Sequence, residues 1–360
     1  LRGAMIAITI ATSLVFLLFC TTAKFGLGRS MVAYVFFALC PMTLFFGRIA
    51  AFEQLGLFFL LIALFPLFGE TRRTGLIFVS GALAALSAFF PAILALVWLL
   101  ATLIDPGLRA QRKDARTLLL GVGTGLVAFF VLDVLAVGVE GAARGFLAAL
   151  QIWTSASAEG GADITFLQWS NRLLTWNLRE YTPVLIGGGI LGVSWVLYLR
   201  KRATEFEKIL LILTISAGIY ITLLKNATDV HRYYLLPLLP ALAGLSAIVW
   251  TRAVSWMDRV TRWPMLGNLS AVIGIVLFLL FSQAAVRVRY ERDGRYPTEN
   301  SLIKPPTVAQ FTEAIWGSDN PSSPIRWDFP PGTPEVTRQG CVFWPERATC
   351  AGFAKVGNLP

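Results

Sequence analysis

The chain has 360 residues, of which 56% are hydrophobic and only 14% are charged, whereas about a quarter of the residues in a typical soluble domain are charged. This composition argues against a soluble globular protein and predicts a polytopic membrane protein. The net charge of +10 does not indicate nucleic-acid binding, because the basic residues occur in short clusters between apolar runs and not in one patch or helical stripe.

Ten apolar runs approach the length of about 20 residues that a helix needs to cross a hydrocarbon core of about 30 Å. They cover residues 4–23, 31–46, 50–68, 74–89, 91–104, 117–137, 183–199, 209–224, 233–250 and 266–285. No polar linker separates the fourth run from the fifth, so a tight turn broken by Pro91 is expected there. The predicted fold class is therefore all-α, a polytopic transmembrane helical bundle of about ten spans.

The loops between these runs alternate in charge. One set carries most of the basic residues: Lys24, Arg29, Arg72, Arg73, Arg109, Arg112, Lys113, Arg116, Arg200, Lys201, Arg202, Lys208, Arg252, Arg259 and Arg262. Short loops with this bias lie in the cytoplasm. The start of the chain, the loops 138–182 and 225–232 and the tail are therefore predicted to be extracytoplasmic. Because only Leu1 to Gly3 precede the first run, we expect an upstream segment with at least one span and one outer loop.

Two further regions are predicted from composition. The outer loop 138–182 has apolar residues at helical spacing: Phe146, Leu147, Leu150, Ile152 and Trp153, then Phe166, Trp169, Leu173, Leu174 and Trp176. This pattern is typical of helices in the membrane interface, and an ordinary loop rich in aromatic residues is the alternative. Residues 287–360 are rich in proline, which predicts a small, loop-rich extracytoplasmic appendage beside the transmembrane domain, 1–286.

Cysteine and glycine positions give smaller predictions. Cys20 and Cys40 lie inside apolar runs and are interpreted as small buried hydrophobic residues. Cys341 and Cys350 lie in the tail without a CxxC spacing, and an extracytoplasmic tail favours a disulfide between them over two free thiols. Three consecutive glycines, 187–189, lie within a predicted span and indicate close helix packing.

The first polar segment of interest separates the runs 31–46 and 50–68 and carries Arg48 and Glu53. Two charges of opposite sign between two lipid-soluble helices are costly unless they face water, a ligand or each other. One interpretation is structural: an ion pair, or Arg48 reaching to the headgroups while Glu53 caps the next helix. The functional interpretation is that the carboxylate binds a metal or an acceptor while the guanidinium holds an anion.

The second segment runs from Lys225 to Tyr234 and is predicted to lie on the same outer face. It contains the only histidine of the chain, His231, next to Arg232. A histidine beside tyrosines at a helix start is compatible with a hydrogen-bonded interface residue. Two cations, an imidazole and two phenols at the membrane surface also suit a lipid-linked phosphate. Glu53 and His231 are candidate ligands of a divalent metal ion, but two ligands are too few to predict one.

Both segments carry a family resemblance. The sequence CPMTLFFGRIAAFE, which contains Arg48 and Glu53, resembles a segment of the GT-C glycosyltransferases: a proline, several apolar residues, an arginine, four apolar residues and an acidic residue. The resemblance is to the branch with the protein O-mannosyltransferases and the lipid A aminoarabinose transferase. Lys225 with HRYYLLPLLPAL resembles the branch's segment of a lysine, a short gap and YY-L-L-P-L-L-P. Order, separation and predicted outer location also match, over residues 31–250.

The resemblance implies a transferase in a bacterial inner membrane. Such an enzyme moves a sugar from a polyprenyl-phosphate donor to an acceptor glycan, lipid or protein on the extracytoplasmic face. By the family pattern, Glu53 is the second acidic residue of the site and Arg48 supports it. The candidates for binding the donor phosphate or sugar are Lys225, His231, Arg232 and Tyr234.

One feature of the family has no counterpart here. The family carries its catalytic aspartate or glutamate in the first outer loop, and no residue before Ala4 can supply it. Glu159 and Asp163 are carboxylates of the predicted outer face, but no family position corresponds to them. The chain is therefore expected to be a fragment or an inactive member.

Two other function classes remain open. A transporter or lipid flippase requires ionisable residues deep within spans, and Asp133 comes closest to that position. A catalytically silent membrane subunit would instead bind a partner through its outer tail.

Overall fold

The protein is described by a computed structural model over residues 2–47, 52–69, 73–154, 166–199, 202–225, 228, 232–261, 264–292, 326–328 and 354–356. Its contacts divide the chain into two compact units, Leu1–Arg289 and Tyr290–Pro360. The described part of the first unit is entirely helical or irregular, which confirms the all-α fold class. In the second unit, strands β1 Arg326–Asp328 and β2 Ala354–Val356 pair antiparallel. Cys341 and Cys350 lie outside the described residues.

The described part of the first unit is built from twelve α-helices. In chain order they are α1 Arg2–Thr22, α2 Leu27–Ala38, α3 Pro41–Phe46, α4 Phe52–Leu64, α5 Thr74–Ser87, α6 Phe90–Ile104, α7 Arg112–Thr154, α8 Phe166–Glu180, α9 Thr182–Tyr198, α10 Glu205–Leu223, α11 Leu239–Thr261 and α12 Pro264–Arg292. Within the described residues, three 3₁₀ helices connect some of them: Phe65–Phe68, Pro106–Gln111 and Arg232–Leu238. We call the last one the Tyr233 segment.

Four helical stretches in the described residues are long and apolar enough to cross a membrane: Gly3–Thr22, Pro106–Leu147, Glu205–Leu223 and Tyr233–Val260. Six shorter apolar helices lie at the other predicted positions: Leu27–Ala38, Phe52–Phe68, Thr74–Ser87, Phe90–Ile104, Thr182–Tyr198 and Val272–Val286. These lengths are consistent with a membrane protein. They do not confirm the prediction of about ten spans.

The predicted span over residues 31–46 is wrong as a single helix. Helix α2 ends at Ala38 and α3 starts at Pro41, with Cys40 between them in an extended conformation (φ −64°, ψ 140°). The reason is local, because proline has no amide hydrogen and its ring disfavours a helical conformation of the preceding residue. Cys40 is fully buried at this break, and Cys20 is fully buried in α1, so the interpretation of both as buried residues is confirmed.

The predicted turn at Pro91 is confirmed. Ala88 follows α5 in an extended conformation (φ −158°, ψ 156°), and α6 begins at Phe90 with Pro91 in its first turn.

The close helix packing predicted for the glycines 187–189 is confirmed for two of them. A Cβ added to Gly188 would lie 2.6 Å from the hydroxyl oxygen of Ser246, and one added to Gly189 would overlap Leu242.

In the range 138–182, which was predicted to be an outer loop, most of the described residues are helical. Helix α7 continues past residue 138, and its helical conformation is interrupted only at Gly138, whose φ is 77°. Helix α8 follows after residues outside the described range, and it exposes Leu167, Leu174 and Leu178 to the surroundings. These three are spaced so that they share one face of the helix. The position of this face in the membrane interface stays a prediction.

The Tyr233 segment is the element on which several helices converge. It packs against α3, α4, α10 and α11. Helix α4 also packs against α1 and α5, and α10 packs against α6. The segment therefore joins helices from the first and second halves of the sequence.

Candidate functional site

Glu53 lies in the first turn of α4 and is only 8% exposed. Its carboxylate is close enough to the hydroxyl groups of Tyr220 and Tyr233 to interact electrostatically with both. Tyr220 belongs to α10, and Tyr233 belongs to the Tyr233 segment. The acidic residue of the first sequence segment therefore lies near Tyr233, which belongs to the second segment, and near Tyr220, which precedes that segment.

Two contacts with α1 fix the chain on either side of Glu53. The Thr9 hydroxyl donates to the backbone oxygen of Gly47 at 2.7 Å. A Cβ on Gly47 would lie 2.5 Å from the Thr9 methyl carbon and 2.5 Å from the carbonyl oxygen of Thr43, so only glycine fits. The Gln54 side-chain amide donates to the Thr12 hydroxyl at 3.3 Å. The first turn of α4 is thereby held against α1.

Aromatic rings form the other wall of the site. The ring centroids of Tyr233 and Tyr234 are 4.9 Å apart, and those of Tyr220 and Tyr234 are 6.1 Å apart. Phe46 at the end of α3 lies 6.3 Å from Tyr233, and Phe90 at the start of α6 lies 5.6 Å from Tyr220. These separations are in the range in which aromatic rings attract one another. The cluster provides phenol hydroxyl groups and apolar ring faces next to a carboxylate.

Lys225 follows the end of α10. It is partly exposed, and its backbone oxygen accepts a hydrogen bond from the Thr228 hydroxyl at 2.8 Å. Arg232 is the first residue of the Tyr233 segment, but its side chain lies outside the described residues. Arg48 and His231 lie outside them entirely. Among the predicted site residues, the structure therefore brings Glu53 and Tyr234 to one aromatic cluster and places Lys225 on the chain that leads to it.

An apolar cavity of about 340 Å³ adjoins this cluster. Its lining residues are Phe89, Ala92, Ile93, Leu126, Phe130, Phe146, Tyr220, Leu223 and Leu224. Tyr220 belongs both to the cavity wall and to the surroundings of Glu53. A small pocket with apolar walls suits a hydrocarbon chain.

The metal prediction stays untested. Within the described ranges, no group of three or more histidine, cysteine or acidic residues could hold a metal ion. His231, one of the two candidate ligands, is not among those residues.

Sequence reasoning missed three residues that shape the site. Tyr220 is a lone tyrosine near the end of an aliphatic helix, and this position was the one feature of the sequence that could have indicated a role for it. Tyr181 precedes Thr182 and Pro183 at the start of α9, and burial raises its pKa well above the usual value, so its phenol stays protonated. Trp169 was recognised only as an interfacial residue, whereas its side chain is 3% exposed and its indole nitrogen donates to the Thr228 hydroxyl at 3.2 Å.

Comparison of the chain with protein-family models, with curated proteins and with solved structures finds no match. The function therefore has to be inferred from the chemistry of the Glu53 site and from the resemblance of the two segments.

Proposed function

We propose that this protein is a membrane glycosyltransferase of the GT-C type, which moves a sugar from a polyprenyl-phosphate donor to an acceptor on the extracytoplasmic face. The observation that carries the proposal is the position of Glu53 beside Tyr220 and Tyr233, with an apolar cavity sharing Tyr220. A lipid-linked sugar suits a polar cluster beside an apolar cavity, because it combines a hydroxyl-rich ring and a phosphate with a hydrocarbon chain.

The charges of the second segment suit the chemistry of the leaving group. In this reaction an acceptor oxygen forms a bond to the sugar carbon while the bond between that carbon and the phosphate oxygen breaks. The acceptor's proton passes to a base, which in the family is the acid of the first outer loop, and negative charge grows on the departing phosphate. Cations placed where that charge develops lower the barrier. Lys225, His231 and Arg232 are the proposed groups, and their sequence position next to the tyrosine cluster supports this role.

Glu53 has a different proposed role. A carboxylate among phenol groups accepts hydrogen bonds from hydroxyl groups and orients a sugar or an acceptor that presents them. Arg48, five positions earlier, is proposed to support it. No residue of this chain is proposed for the role of the acid that the family carries in its first outer loop.

The proposal includes a topology of about ten spans, in which the shorter apolar helices also cross the membrane. The start of the chain, the loops 138–182 and 225–232 and the tail are then extracytoplasmic, in keeping with the alternation of basic loops. The apolar cavity lies beside the cluster in this arrangement and would receive the first part of the polyprenyl chain.

The test is sugar transfer by the full-length protein in proteoliposomes that contain a labelled polyprenyl-phosphate sugar. The variant Glu53→Gln keeps the size of the side chain and removes its charge, and we expect it to abolish transfer without preventing membrane insertion. Glu140→Gln is the matched control, because Glu140 forms an exposed pair with Arg144 and should be replaceable without effect. Normal turnover by Glu53→Gln would overturn the assignment.

A lipid flippase is the second candidate, since an apolar cavity next to a polar cluster is also what movement of a lipid between leaflets requires. The same proteoliposomes separate the two functions. A flippase moves the labelled lipid between leaflets without breaking the bond to the sugar, whereas a transferase releases the polyprenyl phosphate.

A further inference from the structure

The corner between α8 and α9 is buried although it is polar. Glu180, Tyr181 and Thr182 are at most 1% exposed. Thr182 has φ 71°, in the left-handed region that a β-branched residue rarely adopts. Such strained residues persist only where the surrounding structure fixes them. Buried contacts with other elements are therefore expected to hold this corner in place.

The corner reaches two elements of the candidate site. The Tyr181 hydroxyl donates to the backbone oxygen of Leu235 in the Tyr233 segment. The Cys40 thiol, at the break between α2 and α3, donates to the backbone oxygen of Glu180 at 3.2 Å. Both contacts are buried. They attach the corner to the segment that carries the site tyrosines and to the break that precedes α3.

Helix α8 makes a second contact, with residues that precede the Tyr233 segment in sequence. The indole nitrogen of Trp169 donates to the hydroxyl oxygen of Thr228 at 3.2 Å, and that hydroxyl donates to the backbone oxygen of Lys225 at 2.8 Å. Trp169 is 3% exposed and Thr228 is fully buried. Helix α8 and the corner that follows it thus contact the stretch 225–238 at two described residues, Thr228 and Leu235.

We propose that Trp169 and Tyr181 are positioning residues that hold Lys225 and the Tyr233 segment in the arrangement in which they bind the donor phosphate. The role in donor binding rests on the proposed function. The positioning itself rests only on the contacts of α8 and its corner with this stretch. Neither residue is proposed to touch the donor.

The first experiment tests the positioning alone, by hydrogen exchange of the full chain in lipid nanodiscs. In Tyr181→Phe and in Trp169→Phe we expect exchange of the amides in residues 225–238 to rise about fivefold, because each variant loses one buried hydrogen bond. Exchange in α5, which none of these contacts involves, should not change. Wild-type exchange rates at 225–238 in both variants would overturn the proposal.

Matched controls exist for both substitutions. Tyr198 is 82% exposed and Trp256 is 59% exposed, so Tyr198→Phe and Trp256→Phe repeat the same chemical changes away from the site. Neither control should alter exchange at 225–238. If Tyr181→Phe fails to fold, Trp169→Phe decides the outcome, since its contact lies at the other end of the stretch.

The second experiment uses undecaprenyl phosphate in the same nanodiscs as the probe of donor binding. We expect the dissociation constant to rise about threefold to tenfold in both variants, the size of effect that the loss of one hydrogen bond produces. In a transfer assay, the KM for the donor should rise while kcat changes little. A purely structural role would instead lower the active fraction of the enzyme and leave KM unchanged.

The outcomes separate the two proposals. If wild-type protein does not bind undecaprenyl phosphate, the proposed function is wrong, and the exchange data still decide whether Trp169 and Tyr181 position this stretch. If wild-type protein binds the probe and both variants bind it equally well, the proposed function stands and the positioning role in donor binding is wrong.

Discussion

Helix α10 connects two polar regions that differ in the partners of their acidic residues. At its start, Glu205 accepts from the Gln111 side-chain amide at 2.9 Å, and Lys208 pairs with Asp105 at 2.8 Å. Near its end, Tyr220 lies beside Glu53, whose described neighbours include phenol hydroxyl groups. With a rise of about 1.5 Å per residue, the two regions are separated by most of the length of the helix.

This difference separates a region that we expect to bind substrate, around Glu53, from a region that we expect to stabilise the fold, at the start of α10. The acidic groups at the start of α10 have partners of opposite charge or amide donors at hydrogen-bond distance, which is the arrangement of a structural network. Glu53 lies instead among groups that can both donate and accept and that adjoin a cavity. We therefore expect substitutions at the Glu53 end to change activity more than stability, and substitutions at the Lys208 end to do the opposite.

After the loss of transfer expected for Glu53→Gln, the largest effect is expected from Lys225→Ala. If the ammonium group stabilises the departing phosphate, its removal should lower sugar transfer about 100-fold or more, the typical cost of losing one group that meets developing charge. The rate of transfer in proteoliposomes is the measurement. Lys113→Ala is the control, since Lys113 is exposed near the start of α7. Equal loss of activity in both variants would mean that Lys225 has no special role.

The second prediction concerns the entry into α4. Gly47→Ala places a methyl group against Thr9 and the Thr43 carbonyl, and we expect a loss of about 1–3 kcal/mol of stability from overpacking, together with lower transfer. Thermal unfolding in detergent measures the first effect. Gly75→Ala is the control, because a Cβ on Gly75 meets nothing within 4 Å. A stable and fully active Gly47→Ala would show that the first turn of α4 does not depend on this contact.

The third prediction concerns the break in α7. Gly138 has φ 77°, where an alanine costs about 1–2 kcal/mol. Phe146, which follows this break, lines the apolar cavity, so Gly138→Ala should also weaken binding of undecaprenyl phosphate. Gly123→Ala in the regular part of α7, where a Cβ meets nothing within 4 Å, should leave binding unchanged. Unfolding midpoints and binding curves of the two variants provide the comparison.

The local features of this fold could be predicted from the sequence. Helices lie at the predicted positions because apolar runs and prolines act locally, as at Pro91. The single span over 31–46 was a wrong prediction because Pro41 interrupts this apolar run: α2 ends at Ala38 and α3 starts at Pro41.

The contacts that assemble the site could not be predicted in the same way. Tyr181 reaches Leu235 over 54 positions and Trp169 reaches Thr228 over 59. Hydrophobic periodicity describes the face of a helix but not the residue that faces it. The proximity of Glu53 to the second segment was therefore inferred from the family resemblance, whereas the roles of Tyr220, Tyr181 and Trp169 required coordinates.

The smallest effect is expected at the start of α10, where Lys208→Met tests the other side of the comparison. The Lys208 side chain is 14% exposed and that of Asp105 is 30% exposed, so water screens this pair only in part. We expect a loss of about 1 kcal/mol in unfolding free energy and no change in transfer per folded molecule. Arg144→Met removes a pair of similar length whose side chains are 79% and 81% exposed, and its unfolding midpoint should not move. If Lys208→Met instead lowers transfer while stability is unchanged, the start of α10 takes part in function, and the division of roles along this helix is wrong.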